Sequence, residues 1–399
     1  MDITIYPQKL HGEIAAIPSK SQAHRLLICA AFSDQPTDLI CPATNQDIEA
    51  TAGCLQALGA KITRTENGYT VIPVSKLPET ALLNCGESGS TLRFMLPIAG
   101  ALGVKTTFLM AGRLPNRPLS PLWEEMERNG CKLSRPTHDT IFLEGKLEAG
   151  NYTISGSVSS QYITGLLYAM ALLERPCHLE ITGKVESKPY IDMTRQALSD
   201  FGIKTDGNAV SGSRPFHSPG RISVEGDWSN GAFFFAAKSL GNTLDISGLS
   251  NSSCQGDRAC VDILKELKSK NAVIDAADIP DLVPILAVVA GAYHGAVFKN
   301  IARLRLKESD RVATVAAMIN ALGGSASYDD NTLIIYPGTY KSCTIDAASD
   351  HRIAMSAAIA ATVSQGPVTI IGAQCVAKSY PSFWDEYKRL GGSYEQYIR

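Results

Sequence analysis

Lys307-Glu308-Ser309-Asp310-Arg311 sets cations beside a carboxylate, at the end of the arginine-punctuated run Arg303-Leu304-Arg305-Leu306. Val312, Val315, Ile319 and Leu322 follow at helical spacing, which predicts a helix starting here. On such a start Lys307 and Arg311 stand one turn apart on one face, where like charges repel by about a few tenths of a kcal/mol. A bound anion would turn that cost into a gain, because the free N–H groups of a helix start favour negative charge too. Glu308 beside these cations would be stabilised in its ionised form unless burial opposes it. A solvated, salt-bridged helix start accounts equally well for the run taken alone.

Other candidate residues share that position. Pro18-Ser19-Lys20-Ser21 opens an apolar helical stretch, with Arg25 one turn after Ser21. Its spacing from Gly12 does not fit a P-loop, and an N-cap serine with a surface lysine is the plain alternative. Gly86-Glu87-Ser88-Gly89-Ser90-Thr91-Leu92-Arg93 opens a second helix, where glycines allow a ligand to approach the backbone closely. Arg113 and Arg117-Pro118 follow a strand-like segment, and the proline biases Arg117 toward a loop. Ser159-Ser160-Gln161-Tyr162 and Ser187-Lys188-Pro189-Tyr190 read as caps, or as hydroxyls and an amide for a polyol. Asp281, just before the apolar run 282–293, is an N-cap or a general base. Ser349-Asp350-His351-Arg352 and Lys378-Ser379-Tyr380-Pro381 complete the set. Cations gathered at so many helix starts suit a small, highly anionic ligand.

The elements that must position these residues recur six times. An amphipathic helix ends at Gly or Asn and leads into a short strand, as at Gly59, Asn129-Gly130, Gly202, Asn271, Gly323-Gly324 and Gly391-Gly392. These residues tolerate the left-handed conformation in which helices stop. A partner helix precedes each copy, at 21–31, 90–102, 161–173, 231–240, 281–293 and 351–363. The period of roughly fifty to seventy residues exceeds that of common solenoid repeats, so each copy should hold several strands as well. Six copies divide into two sets of three, with a seam near Val224-Glu225-Gly226-Asp227 after the loop-like stretch 211–220.

Composition narrows the function. A chain of 399 residues, 45% hydrophobic, is large enough for two packed domains. The net charge of −2 gives no basic field for nucleic acid. The start Met1-Asp2-Ile3-Thr4-Ile5-Tyr6-Pro7 does not read as a signal peptide, and the longest apolar run is too short to span a membrane. Ten scattered cysteines without Cys-x-x-Cys suggest reduced thiols in a cytoplasmic protein, with no metal site.

Taken in order, these motifs make the chain resemble the 5-enolpyruvylshikimate-3-phosphate synthases of the enolpyruvyl transferase family. The resemblance rests on Ser19-Lys20-Ser21 with Arg25, Gly89-Ser90 with Arg93, Arg117-Pro118, Ser159-Ser160-Gln161 and Ser187-Lys188-Pro189-Tyr190. It continues through Pro280-Asp281, Lys307 to Arg311, Asp350-His351-Arg352 and Lys378-Ser379. It implies an α/β fold of two domains, each of three βαβαββ units in an inside-out α/β barrel, closing over the substrates. The domains expected are 21–224, and 1–20 with 225–399. It also implies transfer of the enolpyruvyl group of phosphoenolpyruvate to the 5-hydroxyl of shikimate 3-phosphate, releasing phosphate. By the same resemblance, Lys20, Ser21, Arg25, Ser159, Ser160, Gln161, Ser187, Tyr190, Asp281 and Lys307 would hold shikimate 3-phosphate. Lys20, Gly89, Arg117, Gln161, Arg311, Arg352 and Lys378 would hold phosphoenolpyruvate. Asp281 would act as base and Glu308, with Lys20, as acid and base. No cofactor, metal, nucleic acid or membrane is implied, and a monomer is expected.

Two departures touch the implied site. Arg303 stands where many relatives have Asn, and Phe94 follows Arg93 where many have Pro; Ser90 replaces a common Thr. Gly89 would leave room for glyphosate, whereas Phe94 could reshape its helix. One rival is enolpyruvyl transfer to a UDP-sugar, whose enzymes typically carry a loop cysteine where this chain has Leu114-Pro115-Asn116. The other is an anion-binding protein of the same fold without catalysis, against which Lys20, Asp281, Glu308 and Arg352 argue.

Overall fold

The computed structural model describes residues 1–207, 209–210 and 216–397, so part of the stretch 211–220 lies outside the described residues. It divides into two compact units, Pro18–Val224 and a discontinuous one made of Met1–Ile17 with Glu225–Arg399. Lys20, expected as the last residue of the second domain, instead starts the first helix of the Pro18–Val224 unit.

Twelve α-helices occur among the described residues. In the Pro18–Val224 unit they are α1 (Lys20–Ala31), α2 (Gln46–Ala57), α3 (Gly89–Leu102), α4 (Leu122–Arg128), α5 (Ser160–Leu172) and α6 (Lys188–Asp200). In the other unit they are α7 (Trp228–Ser239), α8 (Cys260–Ser269), α9 (Val283–Ala292), α10 (Arg311–Ala321), α11 (His351–Ala361) and α12 (Phe383–Arg389). Apart from α1, which carries Lys20, Ser21, Gln22, His24 and Arg25, the odd-numbered helices are largely apolar, and all six are buried over most of their length; α9, Val-Pro-Ile-Leu-Ala-Val-Val-Ala-Gly-Ala, is the extreme case. A helix apolar all round has to sit inside a core. Each unit therefore has its own apolar core, built on its three odd-numbered helices.

Strands cover these helices in small sheets of one pattern. Thr80–Asn84 runs parallel to Lys105–Leu109 across α3, then an antiparallel pair, Cys131–Thr137 and Thr140–Gly145, completes four strands. Asn151–Ser155 with Cys177–Thr182 and Ala272–Asp275 with Ala296–Lys299 repeat that pattern across α5 and α9. Two first strands are borrowed from distant chain segments. Arg221–Ser223 pairs in parallel with Thr37–Ile40, and His11–Ala15 with Thr243–Ser247. The N-terminal strand Asp2–Tyr6 enters the last sheet between Val368–Ile371 and Ser393–Tyr397.

One of the six units departs from the βαβαββ expectation. The sheet of His11–Ala15 and Thr243–Ser247 has two strands only, without the closing antiparallel pair. After α8 the chain passes directly to Ala272–Asp275, which is already the first strand of the next sheet. The sequence between α7 and α9 is too short to hold a further pair.

Close approach of α3 and α5 depends on Gly165. A Cβ there would fall 2.3 Å from the carbonyl oxygen of Arg93 and 2.7 Å from Pro97. Phe94 does not interrupt α3: it is buried, with its ring edge-on to His24 and Tyr168.

Candidate active site

In the discontinuous unit, the 3-10 turn Ala302–Leu306 ends at an extended Lys307, and α10 starts only at Arg311. Lys307 and Arg311 therefore do not share a helical face as expected. Asp310 takes the N-cap, accepting the N–H groups of Val312 and Ala313 at 3.1 and 3.2 Å, and this fixes where the helix begins.

Arg311, 1% exposed, is the hub of the site. Its Nε donates to Asp350 at 2.8 Å, Nη1 to Asp281 at 2.6 Å and Nη2 to Glu308 at 2.6 Å. Arg352 Nη2 donates to the other oxygen of Asp281 at 3.1 Å, and Lys307 Nζ lies 3.6 Å from Asp281. Asp350 is fully buried, caps α11 through the Arg352 N–H and accepts from Ser309 Oγ. The cluster holds three cations, Lys307, Arg311 and Arg352, matched by three carboxylates, Asp281, Glu308 and Asp350. A buried guanidinium has to be paired, so most of Arg311's donors are turned inward.

Asp281 is not the N-cap of α9, because Leu282 stands at that position and makes no side-chain cap bond. Its carboxylate belongs to the cluster instead. Burial opposes its ionisation, but Arg352, Lys307 and Arg311 outweigh burial and hold it well below the usual carboxylate range. Burial pushes Lys307 down to about 8 against the pull of Asp281, with Arg311 and Arg303 adding to the shift. Arg303 is buried in the turn before Lys307. Lys378, also buried, ends the 3-10 turn Ala373–Lys378, and the next residue, Ser379, accepts from Asn230 of α7 at 3.2 Å.

No local motif marks Asp257 as part of this region. It is 4% exposed, on the 3-10 turn Gly256–Ala259. Burial first, then the charge of Asp281, raises it to about 7, against the opposing charge of Arg352.

In the Pro18–Val224 unit, Ser19, Ser88 and Ser159 are the N-caps of α1, α3 and α5, so Lys20, Gly89 and Ser160 stand at helix starts as expected. Lys20 donates to Asp47, the second residue of α2, at 2.8 Å. Asp47 is 27 residues away in sequence, and no local pattern marked it. Gln161 bridges α3 and α5: its Nε2 donates to Ser90 at 2.9 Å, and its Oε1 accepts from Arg93 at 2.9 Å. Arg93 and Tyr162 both donate to the carbonyl of Pro118, which anchors the loop that carries Arg117. Gly89 lies against both arginines; a Cβ there would be 2.6 Å from Arg93 Nη1 and 2.7 Å from Arg117 Nη1.

Arg25 ties two helix starts together. It is 2% exposed, and its guanidinium donates to the Ser21 carbonyl, the Tyr190 carbonyl, Thr194 and Thr164. It fastens Ser21 to the start of α6. Ser187 precedes α6 in the left-handed conformation and makes no side-chain cap bond, so it is not the cap its position suggested. Its buried position and that of the half-buried Tyr190 follow from this turn.

Among the described residues no group of three or more His, Cys, Asp or Glu could hold a metal ion. No described helix is long and apolar enough to cross a membrane.

Known proteins can be set beside this geometry. The family profile described as EPSP synthase (3-phosphoshikimate 1-carboxyvinyltransferase) matches residues 5–387. A 3-phosphoshikimate 1-carboxyvinyltransferase of Clostridium kluyveri is 36% identical over 422 residues, covering 99% of this chain and 98% of the relative. One of Clostridium beijerinckii is 37% identical, covering 99% of each. In structure the chain is similar to an EPSP synthase from Acinetobacter baumannii, with a TM-score of 0.80 and 22% identity over 99% of this chain and 100% of that one. It is also similar to the enolpyruvyl transferase NikO from Streptomyces tendae, with a TM-score of 0.75 and 16% identity over 99% and 98% of the two chains.

Proposed function

Because the chain belongs to the EPSP synthase (3-phosphoshikimate 1-carboxyvinyltransferase) family, we propose that Asp281 and Glu308 form the acid–base pair of its reaction. The chain transfers the enolpyruvyl group of phosphoenolpyruvate to the 5-hydroxyl of shikimate 3-phosphate, a step of the shikimate pathway toward aromatic amino acids. The observation that carries the pair is that one buried guanidinium, Arg311, holds both carboxylates at 2.6 Å through different nitrogens.

The 5-oxygen attacks C2 of phosphoenolpyruvate while its proton passes to Asp281. Asp281 is ionised but, surrounded by cations, a weak base, so proton removal keeps pace with C–O bond formation rather than preceding it. Glu308, with Lys20, delivers a proton to the methylene carbon, giving a tetrahedral ketal phosphate. Glu308 then removes a methyl proton as the C–O bond to phosphate breaks, and phosphate leaves with that electron pair. Fixed cations offset the charge that builds up on the departing phosphate.

Phosphoenolpyruvate is assigned to Lys20, Gly89, Arg117, Gln161, Arg352 and Lys378, with Arg311 contributing chiefly by aligning the carboxylates. Shikimate 3-phosphate is assigned to Lys20, Ser21, Ser159, Ser160, Gln161, Ser187, Tyr190, Asp281 and Lys307, with Arg25 holding Ser21 in place. The enzyme is assigned to the cytoplasm as a monomer, a reading supported by the reduced-thiol pattern of its sequence.

The test is phosphate release with both substrates together and with each alone, and mass spectrometry of the product. Phosphate and the enolpyruvyl ether only when both are present is the expected result. Binding without turnover would leave an anion-binding protein of this fold.

Two variants probe the assignments. Lys307 titrates near 8, so its ammonium is lost as pH rises through that value. The KM for shikimate 3-phosphate should rise roughly fivefold between pH 8 and 9, and Lys307→Arg, which stays charged, should flatten that rise. Gly89→Ala places a methyl group against the ends of Arg93 and Arg117. Both are flexible side chains, and Ala suits a helix start, so melting temperature should hold. The displaced guanidinium groups should raise the KM for phosphoenolpyruvate about ten- to a hundredfold. Inhibition by glyphosate, measured alongside, should weaken in the same variant.

A further inference from the structure

The interior of the Pro18–Val224 unit contains a polar chain that the reaction leaves idle. His24 of α1, Thr51 of α2 and Thr91 of α3 are all at most 1% exposed. His24 Nδ1 lies 2.7 Å from Thr51 Oγ1, and Thr51 Oγ1 lies 2.7 Å from Thr91 Oγ1. Thr91 Oγ1 donates to Ser88 Oγ at 2.8 Å. Ser88 in turn caps α3, accepting the Thr91 N–H at 3.3 Å.

A hydroxyl donates once, so a consistent chain runs in one direction. His24 Nδ1–H donates to Thr51, Thr51 to Thr91, and Thr91 to the cap serine. Burial foremost holds the imidazole down to about 3; Asp47 opposes this, and Lys20 and Arg25 add to it. The ring is therefore neutral at working pH and offers a single N–H. The edge-on Phe94 ring closes another side of it, 6.3 Å between centroids. Buried polar groups are costly when unpaired, so breaking one link leaves its neighbours exposed to that cost.

The position of the chain is what gives it a role. His24 lies one turn beyond Lys20 on α1, and Thr51 one turn beyond Asp47 on α2. Thr91 lies in the first turn of α3, just after Gly89. The chain thus couples three helix starts, above which Lys20 is held to Asp47 at 2.8 Å and Gly89 lies against Arg93 and Arg117. We infer that the His24–Thr51–Thr91–Ser88 chain is a positioning device that fixes Gly89 at the start of α3, and so sets the affinity for phosphoenolpyruvate. This rests on the assignment of phosphoenolpyruvate to Gly89.

Thr91→Val keeps the shape and removes the hydroxyl; Thr91→Ser keeps the hydroxyl; Thr51→Val breaks the same chain one link away. KM for each substrate, kcat and melting temperature are measured for all three variants and the wild type. Thr91→Val and Thr51→Val should each raise the KM for phosphoenolpyruvate about tenfold, with kcat and the KM for shikimate 3-phosphate within about twofold. Thr91→Ser should restore the wild-type value. An unchanged phosphoenolpyruvate KM in either folded valine variant overturns the inference. So does an equal rise in both KM values, which would mean a merely structural role. With wild-type turnover present, either result removes the inference alone; absent wild-type turnover removes the substrate assignment and the inference together.

Discussion

Glu308→Gln should lower kcat by about 10²- to 10⁴-fold, the range over which a positioned acid or base contributes, while leaving both KM values nearly unchanged. Glutamine retains an acceptor oxygen, so the 2.6 Å bond from Arg311 Nη2 can persist and the cluster can stay assembled. What it loses is the exchangeable proton. Both proton transfers assigned to Glu308, to the methylene carbon and later from the methyl group, fail together. Phosphate release at saturating substrate checks the rate, and a melting curve checks that the fold is intact. A kcat within tenfold of wild type would remove Glu308 from the chemistry and leave its carboxylate as a counterion for Arg311.

Arg311→Met has a different signature. Methionine fills much of the space but supplies no donor, so Asp350, fully buried, loses its bond to Nε. Asp281 and Glu308, 19% and 14% exposed, lose theirs as well. Removing one partner from a buried charge cluster costs about 3–5 kcal/mol, and a unit of this size should melt roughly 10 °C lower. Arg311→Lys should recover part of that loss, because one ammonium cannot span three carboxylates as a planar guanidinium does. A melting temperature within about 2 °C of wild type in Arg311→Met would contradict the hub role. Activity should be lost in both variants, since Asp281 and Glu308 take their orientation from this side chain.

The helix starts were legible in the sequence because capping is local. Ser19, Ser88, Ser159 and Asp350 each sit within three residues of the N–H they accept, so type and spacing alone point to them. The repeated helix–glycine–strand pattern was legible for the same reason. What escaped depends on pairs distant in sequence. Arg311 meets Asp350 across 39 residues and Lys20 meets Asp47 across 27, and no periodicity encodes either. Local rules also misled where tertiary pairing outweighed them. Asp281 reads as an N-cap but lies one residue before that position and serves a charge cluster. Lys307 reads as part of the helix after it because a short 3-10 turn leaves almost no pattern in a sequence. The depth of Arg25 and Arg311 also escapes a sequence reading, since an arginine near a helix start gives no sign of how deeply it will be buried.

The insertion of Pro18–Val224 into the other unit also has a consequence for synthesis. Strands Asp2–Tyr6 and His11–Ala15 leave the ribosome well before their partners, which include Thr243–Ser247 and Ser393–Tyr397. At roughly 5–20 residues per second, they stay unmatched for tens of seconds, while about two hundred residues are made before the partner of His11–Ala15 and nearly four hundred before those of Asp2–Tyr6. The register sets Asp2 beside Tyr397. A circular permutant with a short linker from Tyr397 to Asp2, opened between Ile17 and Pro18, would make the discontinuous unit continuous and remove that wait.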